Sequence, residues 1–289
     1  MTARGQLCYT DAYARSVEAR VVSVDPGGGG GPVVVLDRTV FYPGGGGQPS
    51  DRGLLLRAAD GRTWTVTGAR KAGGEIAHDL EPGGEPPAVG DRLQVDLEWA
   101  RRLALMRTHT ALHALCGVVW RDYGALVTGG NMEPGAGRMD FEFERMGGEL
   151  VGEIGSKVND ELTRGRDVRV KVLPRAEAFA IPDLIRTKIN LLPPGIEEVR
   201  TIEIVGLDLQ ADGGTHVANT SEVGRIKVTG YESKGRQQAN PDRARGRPGL
   251  SGPAPRDPLS GSPEEGAGRA RARPRPQATV DPPSERNGG

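Results

Sequence analysis

Three of the four histidines in this 289-residue chain fall in two short blocks. Thr108-His109-Thr110-Ala111-Leu112-His113 carries two imidazoles four positions apart, and Asp212-Gly213-Gly214-Thr215-His216 carries a carboxylate and an imidazole at the same interval. Imidazole nitrogen and carboxylate oxygen are both ordinary zinc ligands. Brought together, the blocks would offer three nitrogens and one oxygen to a single ion. Either block alone is a weak signal, since histidine pairs at this spacing are common by chance and a lone His is usually just a satisfied polar group. Two complementary half-sites among so few histidines make the joint reading much stronger than its parts. Metalloproteases share the helical spacing but need Glu directly after the first His as general base. Thr110 stands there, so a peptidase would lack its catalyst.

The elements around these residues must aim them. From Trp99 to about Tyr123 there is no Pro and no Gly before Gly117, while Leu103, Met106, Leu112, Leu115 and Val119 recur at helical intervals. Residues four apart share a helix face, so His109 and His113 point to a common place. Asp212 and His216 follow an expected strand, Val199 to Leu209, and flank glycines that let the loop fold both side chains back towards one ligand. Cys116 lies on the histidine face, but seven residues past His109 is about 10.5 Å along a helix, too far to share the ion. It reads as a small buried hydrophobe. Cys8 has no CxxC partner, and two unmatched thiols suit a reducing compartment. His78 also lacks a partner and reads as a surface or strand residue.

Gly44 to Gly47 form a second feature. Consecutive glycines pack poorly as a strand, so a tight loop is expected, and such loops bring backbone N–H groups close to phosphates or other ligands. No Lys-Ser/Thr follows as in a P-loop, and no strand-turn-helix with a later acid supports a dinucleotide fingerprint. The plain alternative is a barrel turn with no ligand role. Another run, Gly27 to Gly31, separates two Val-rich segments and reads as the enlarged tip of a hairpin.

Three blocks together carry a family resemblance: Leu36 to Gly53, with Thr39, the glycine loop, Gln48 and Asp51; Met106 to His113; and Ala211 to Thr220. Thr128-Gly129-Gly130-Asn131 and Arg138-Met139-Asp140-Phe141 also fit, in the same order. The chain resembles the AlaX group of free-standing alanyl-tRNA editing proteins over roughly residues 5 to 232, and with it the editing domains of alanyl- and, more distantly, threonyl-tRNA synthetase. The resemblance implies a trans-editing hydrolase that deacylates mischarged tRNA(Ala), seryl-tRNA(Ala) above all and glycyl-tRNA(Ala) besides. It also implies one zinc ion on His109, His113, His216 and Asp212. Thr39 and Gln48 would be catalytic pocket side chains, while Gly45, Gly46, Gly47, Asp51, Gly213, Gly214 and Thr215 would bind the acceptor end of the tRNA. One departure matters: the family's second half-site commonly begins with Cys, and here that position is Asp212. A carboxylate keeps the site anionic but hardens it. Asp212 is then either a direct ligand or a group acting through water or another ligand. If all four ligate, the shell is closed as in structural zinc sites; an open position would suit catalysis.

The expected class is α+β. A small β-barrel-like domain over 1–92 would contain strands at Ser16 to Val24, Val33 to Phe41, Gly53 to Leu56, Thr63 to Ala69 and Asp91 to Leu97. An α+β metal-binding domain over 93–232 would add the histidine helix, a strand at Arg138 to Glu144, and an amphipathic helix through Leu150, Ile154, Val158 and Leu162. Strands at Val168 to Leu173, Val199 to Leu209 and Arg225 to Tyr231, with a short helix around Ala176 to Arg186, would complete it. Residues 233–289 are rich in Pro, Gly, Ser and Arg and are expected to be disordered. Lys and Arg number 38, as do Asp and Glu, so no net charge points to nucleic acid, though the tail is locally basic. No apolar run suits a membrane span or a signal peptide, so a cytoplasmic protein without membrane or DNA partners is expected. Oligomeric state is not legible. Two other classes use the same residues: a zinc-dependent hydrolase of small esters or amides, and a non-catalytic tRNA-binding module.

Overall fold

The computed structural model describes residues 5–27, 30–144, 146–187, 192, 195–232 and 278–280. Strands β1 (Ser16–Asp25), β2 (Val33–Leu36), β3 (Gly53–Arg57), β4 (Arg62–Ala72), β5 (Glu75–Leu80) and β6 (Arg92–Leu97) close a barrel in the order β1-β2-β5-β4-β3-β6. Alternation along the strands sends Val21, Val34, Leu55, Val66 and Val95 into one apolar core. β5 was absent from the sequence expectation. Its residues are almost continuously buried, so it lacks the alternation that marks a half-exposed strand. His78 lies on it and is fully buried, which corrects the surface alternative.

Helix α1 spans Trp99–Tyr123, the stretch expected, and stops where Gly124 takes a left-handed conformation and donates its N–H to the Trp120 carbonyl. Strands β7 (Val127–Glu133) and β8 (Ala136–Phe141) pair as a hairpin beside it. Helix α2 (Gly148–Thr163) packs on α1 through Ile154, Val158 and Leu162, its buried stripe. Next come β9 (Val168–Pro174) and α3 (Arg175–Ala180), which is shorter than the helix expected there. The single strand expected from Val199 to Leu209 is instead a hairpin, β10 (Glu198–Ile204) and β11 (Asp208–Ala211). Its tight turn rests on Gly206, whose φ is +72°. β12 (Ile226–Val228) and β13 (Ala278–Val280) complete the sheet β12-β13-β8-β7, while β11-β10-β9 forms a second. The tail beyond Glu232 lies outside the described residues except for β13. The result is the α+β arrangement expected of an editing domain: a barrel, two small sheets and α1 between them. No helix among the described residues is long and apolar enough to cross a membrane.

A buried ion pair locks the barrel onto α1. Arg102 is fully buried; it pairs with the Asp51 carboxylate and also donates to the carbonyls of Val40 and Ala12. Asp51 in turn accepts the Tyr42 N–H at 2.6 Å. These bonds hold the segment that enters the glycine loop at a fixed height on the helix.

Candidate metal centre

α1 and the loop after β11 bring the two histidine blocks together. One ligand atom from each of His109, His113, Asp212 and His216 lies within 4.8 Å of all the others. The imidazole centroids are 4.3 to 5.2 Å apart. Each histidine is held from outside through Nδ1. His109 Nδ1–H donates to Gln48 Oε1 at 2.9 Å, and His113 Nδ1–H donates to Asp208 Oδ2 at 3.1 Å. Thr110 Oγ1 lies 3.4 Å from His216 Nδ1 and also accepts the Val217 N–H. The Gln48 orientation is fixed independently: its Oε1 accepts the Thr215 N–H at 3.0 Å and its Nε2 donates to Thr215 Oγ1 at 2.9 Å. With Nδ1 engaged in every ring, the Nε2 atoms are left for the centre.

Their surroundings fit a cation. Asp212 Oδ2 lies 3.0 Å from His216 Nε2 and accepts the Gly214 N–H at 2.6 Å. Asp212 Oδ1 faces His109 Nε2 at 3.6 Å. Because His109 carries its proton on Nδ1, this second contact sets two electron-pair donors opposite each other with no hydrogen between them. Such a pair repels unless a cation intervenes, and ligands around a tetrahedral zinc stand about 3.4 Å apart. Protonation agrees with this. Burial pushes the His109 imidazole down to about 4, and burial with the neighbouring imidazoles holds His216 well below its ordinary value. Burial acts to raise Asp212, but the three imidazoles around it overcome this and keep its carboxyl well below the usual range. His113 goes the other way: burial lowers it, but the hydrogen bond to Asp208 together with the charges of Asp212 and Asp208 outweighs burial and raises it. His109, His216 and Asp212 are thereby held in the forms a metal needs.

Glycines lie beside the cluster. Gly45, Gly46, Gly47 and Gly213 are exposed while His109, His113 and His216 are buried beneath them. Gly44 to Gly47 all have positive φ, so only glycine holds this loop without strain. A Cβ on Gly46 would lie 3.6 Å from Asp212 Oδ1. Gly214 is tighter still, because a Cβ there would overlap the His109 ring. Arg200 fastens the same loop, donating to the carbonyls of Asp212 and Gly214 at 3.0 and 2.8 Å.

Two expected site residues are engaged in contacts outside the metal cluster. Asp51 is spent on Arg102 and cannot offer its carboxylate to a ligand without breaking that pair. Thr39 is buried in the barrel. His78 Nδ1–H donates to the Val34 carbonyl, so its bare Nε2 accepts the Thr39 hydroxyl proton at 2.8 Å, and Thr39 Oγ1 accepts the Phe41 N–H. Gln48 is at the site, but its oxygen is occupied by His109 and Thr215. Cys116 is buried and free, as expected of a small hydrophobe. Asp208, Thr110 and Arg200 were not anticipated. For Asp208 a signal existed: strand periodicity puts residues 208, 210 and 212 on one face.

Comparison with known proteins agrees with this architecture. Residues 199–238 match the threonyl and alanyl tRNA synthetase second additional domain, and residues 15–101 match the class II (A) tRNA synthetase family. The chain is 36% identical over 231 residues to the alanyl-tRNA editing protein AlaX-M of Saccharolobus solfataricus, covering 80% of this chain and 94% of that protein. The AlaX-M of Methanosarcina mazei is also 36% identical, over 80% of this chain and 92% of its own length. An alanine–tRNA ligase from Pyrobaculum neutrophilum is 34% identical over 78% of this chain, but only 25% of the ligase is covered. With the relatives matched almost end to end, the chain belongs to the AlaX-M family of alanyl-tRNA editing proteins.

Proposed function

We propose that this chain hydrolyses the aminoacyl ester of mischarged tRNA(Ala), seryl-tRNA(Ala) first and glycyl-tRNA(Ala) second, beside one zinc ion held by His109, His113, His216 and Asp212. Family membership makes the chain an aminoacyl-tRNA deacylase. The observation that carries the zinc is the unprotonated facing pair, His109 Nε2 and Asp212 Oδ1, within a buried set of three imidazoles. When bound, such an ion supplies Lewis acidity for ester hydrolysis. The chain's own groups do the rest. Gln48, Asp208 and Thr110 orient the imidazoles, Arg200 fixes the loop that carries Asp212, and the glycine loop is the proposed entry for the acceptor end.

The selectivity has a physical basis. A synthetase pocket for alanine cannot strongly reject serine, which merely adds a hydroxyl, whereas a site built to bond that hydroxyl discriminates well against the analogue lacking it. Thr39 and Gln48 are the proposed partners. With its proton committed to His78, Thr39 can only accept from the serine hydroxyl, and Gln48 keeps one Nε2–H to donate. The tRNA(Ala) acceptor end is the proposed partner and the cytoplasm the proposed location. Deacylation of seryl-, glycyl- and alanyl-tRNA(Ala), measured side by side, tests this reading: serine cleaved fastest and alanine spared supports it. Equal cleavage of all three, or of a free aminoacyl ester at the same rate, refutes it and favours a small-ester hydrolase.

A further inference from the structure

The outer contact of His113 differs in kind from those of the other two histidines. His109 leans on a neutral amide and His216 on a hydroxyl, whereas His113 leans on a carboxylate. Asp208 is only 4% exposed. Its Oδ2 accepts from His113 Nδ1 and from Gln210 Nε2 at 2.7 Å, while its Oδ1 is buried with no hydrogen-bond partner. Among the described residues, no Lys or Arg forms an ion pair with it. A buried carboxylate with an idle oxygen is costly unless positive charge compensates it. The fold nevertheless holds it tightly against α1. Gly117 lies one turn beyond His113, and a Cβ there would come within 2.9 Å of the Asp208 Cβ and of Leu207 Cγ.

From this geometry we propose that Asp208 is the positioning residue of the metal centre: it fixes the Nδ1–H tautomer of His113, so that Nε2 faces inward, and its charge strengthens His113 as a ligand. The proposal rests on the metal reading given above. A carboxylate behind a ligating imidazole fixes the ring and makes its inner nitrogen more basic, and losing such a partner typically lowers metal affinity about 10- to 100-fold. The absence of glycine's side chain at position 117 serves the same contact by letting the start of β11 reach the helix.

The test uses the full chain with Asp208→Asn and Asp208→Ala, reading zinc affinity by chelator competition and the His113 tautomer by 15N NMR of the metal-free protein. Asn keeps the acceptor oxygen but loses the charge; Ala loses both. The expected result is about a tenfold loss of affinity in Asp208→Asn, a larger loss in Asp208→Ala, and a change of tautomer in Asp208→Ala alone. A merely structural role would lower the melting temperature without moving the tautomer. Affinity unchanged in both variants, or a His113 that carries its proton on Nε2 in the unaltered protein, overturns the proposal. If the unaltered chain binds no zinc, the metal reading falls, and the tautomer measurement still decides whether Asp208 orients the ring.

Discussion

At the scale of single residues, the centre depends on what surrounds the imidazoles as much as on the imidazoles themselves. Gly214 is the sharpest case, since a Cβ there would overlap His109 at Cε1 and Nδ1 and crowd Gln48. Gly214→Ala should therefore displace His109 and abolish stoichiometric zinc binding in a chain that still folds. Elemental analysis of the purified variant checks this, and one zinc per chain would contradict it. The four cluster residues were legible in the sequence because helical spacing and a Gly-Gly turn are local properties. Their supports were not. Gln48 reaches His109 across 61 positions and Asp208 reaches His113 across 95, and no local pattern records such pairings.

At the scale of elements, two buried polar groups tie the barrel together and to the helix. Arg102 on α1 and Asp51 before β3 are both inaccessible, so removing one charge strands the other. Breaking such a pair costs about 3–5 kcal/mol. Asp51→Asn should lower folding stability by that order in chemical denaturation, and a loss under about 1 kcal/mol would contradict the role assigned to it. His78 on β5 gives a pH dependence. Burial pushes its pKa from 6.5 down to about 4. Between those values the unfolded chain binds the proton and the folded chain does not, so the contribution is complete above pH 6.5 and is lost as pH falls towards 4. The loss is on the order of 3 kcal/mol. Denaturation of the native chain at pH 7 and pH 4.5, against His78→Gln, should show a steeper acid loss in the native chain; parallel slopes would contradict this. Element by element, α1 was legible at both ends because its apolar spacing is unbroken and Gly124 stops it. β5 was hidden because burial on both faces erases alternation. The β10–β11 hairpin was hidden because one left-handed glycine turns the chain without a longer loop.

At the scale of the whole molecule, the site is shared between two architectural units. The α+β part supplies the four residues of the candidate metal centre, and the barrel side supplies Gln48 and the glycine rim through a segment pinned by Arg102. The barrel was legible in the strand-rich N-terminal sequence, but not that the surroundings of the cluster would draw on it, because that depends on packing between distant segments. The central claim is that one divalent ion among His109, His113, His216 and Asp212 is required to deacylate mischarged tRNA(Ala). The most direct measurement is the rate of seryl-tRNA(Ala) hydrolysis by the full chain as purified, after chelation, and after return of one equivalent of zinc. The account predicts loss on chelation and recovery with zinc; undiminished hydrolysis by a chain shown to be metal-free would contradict it.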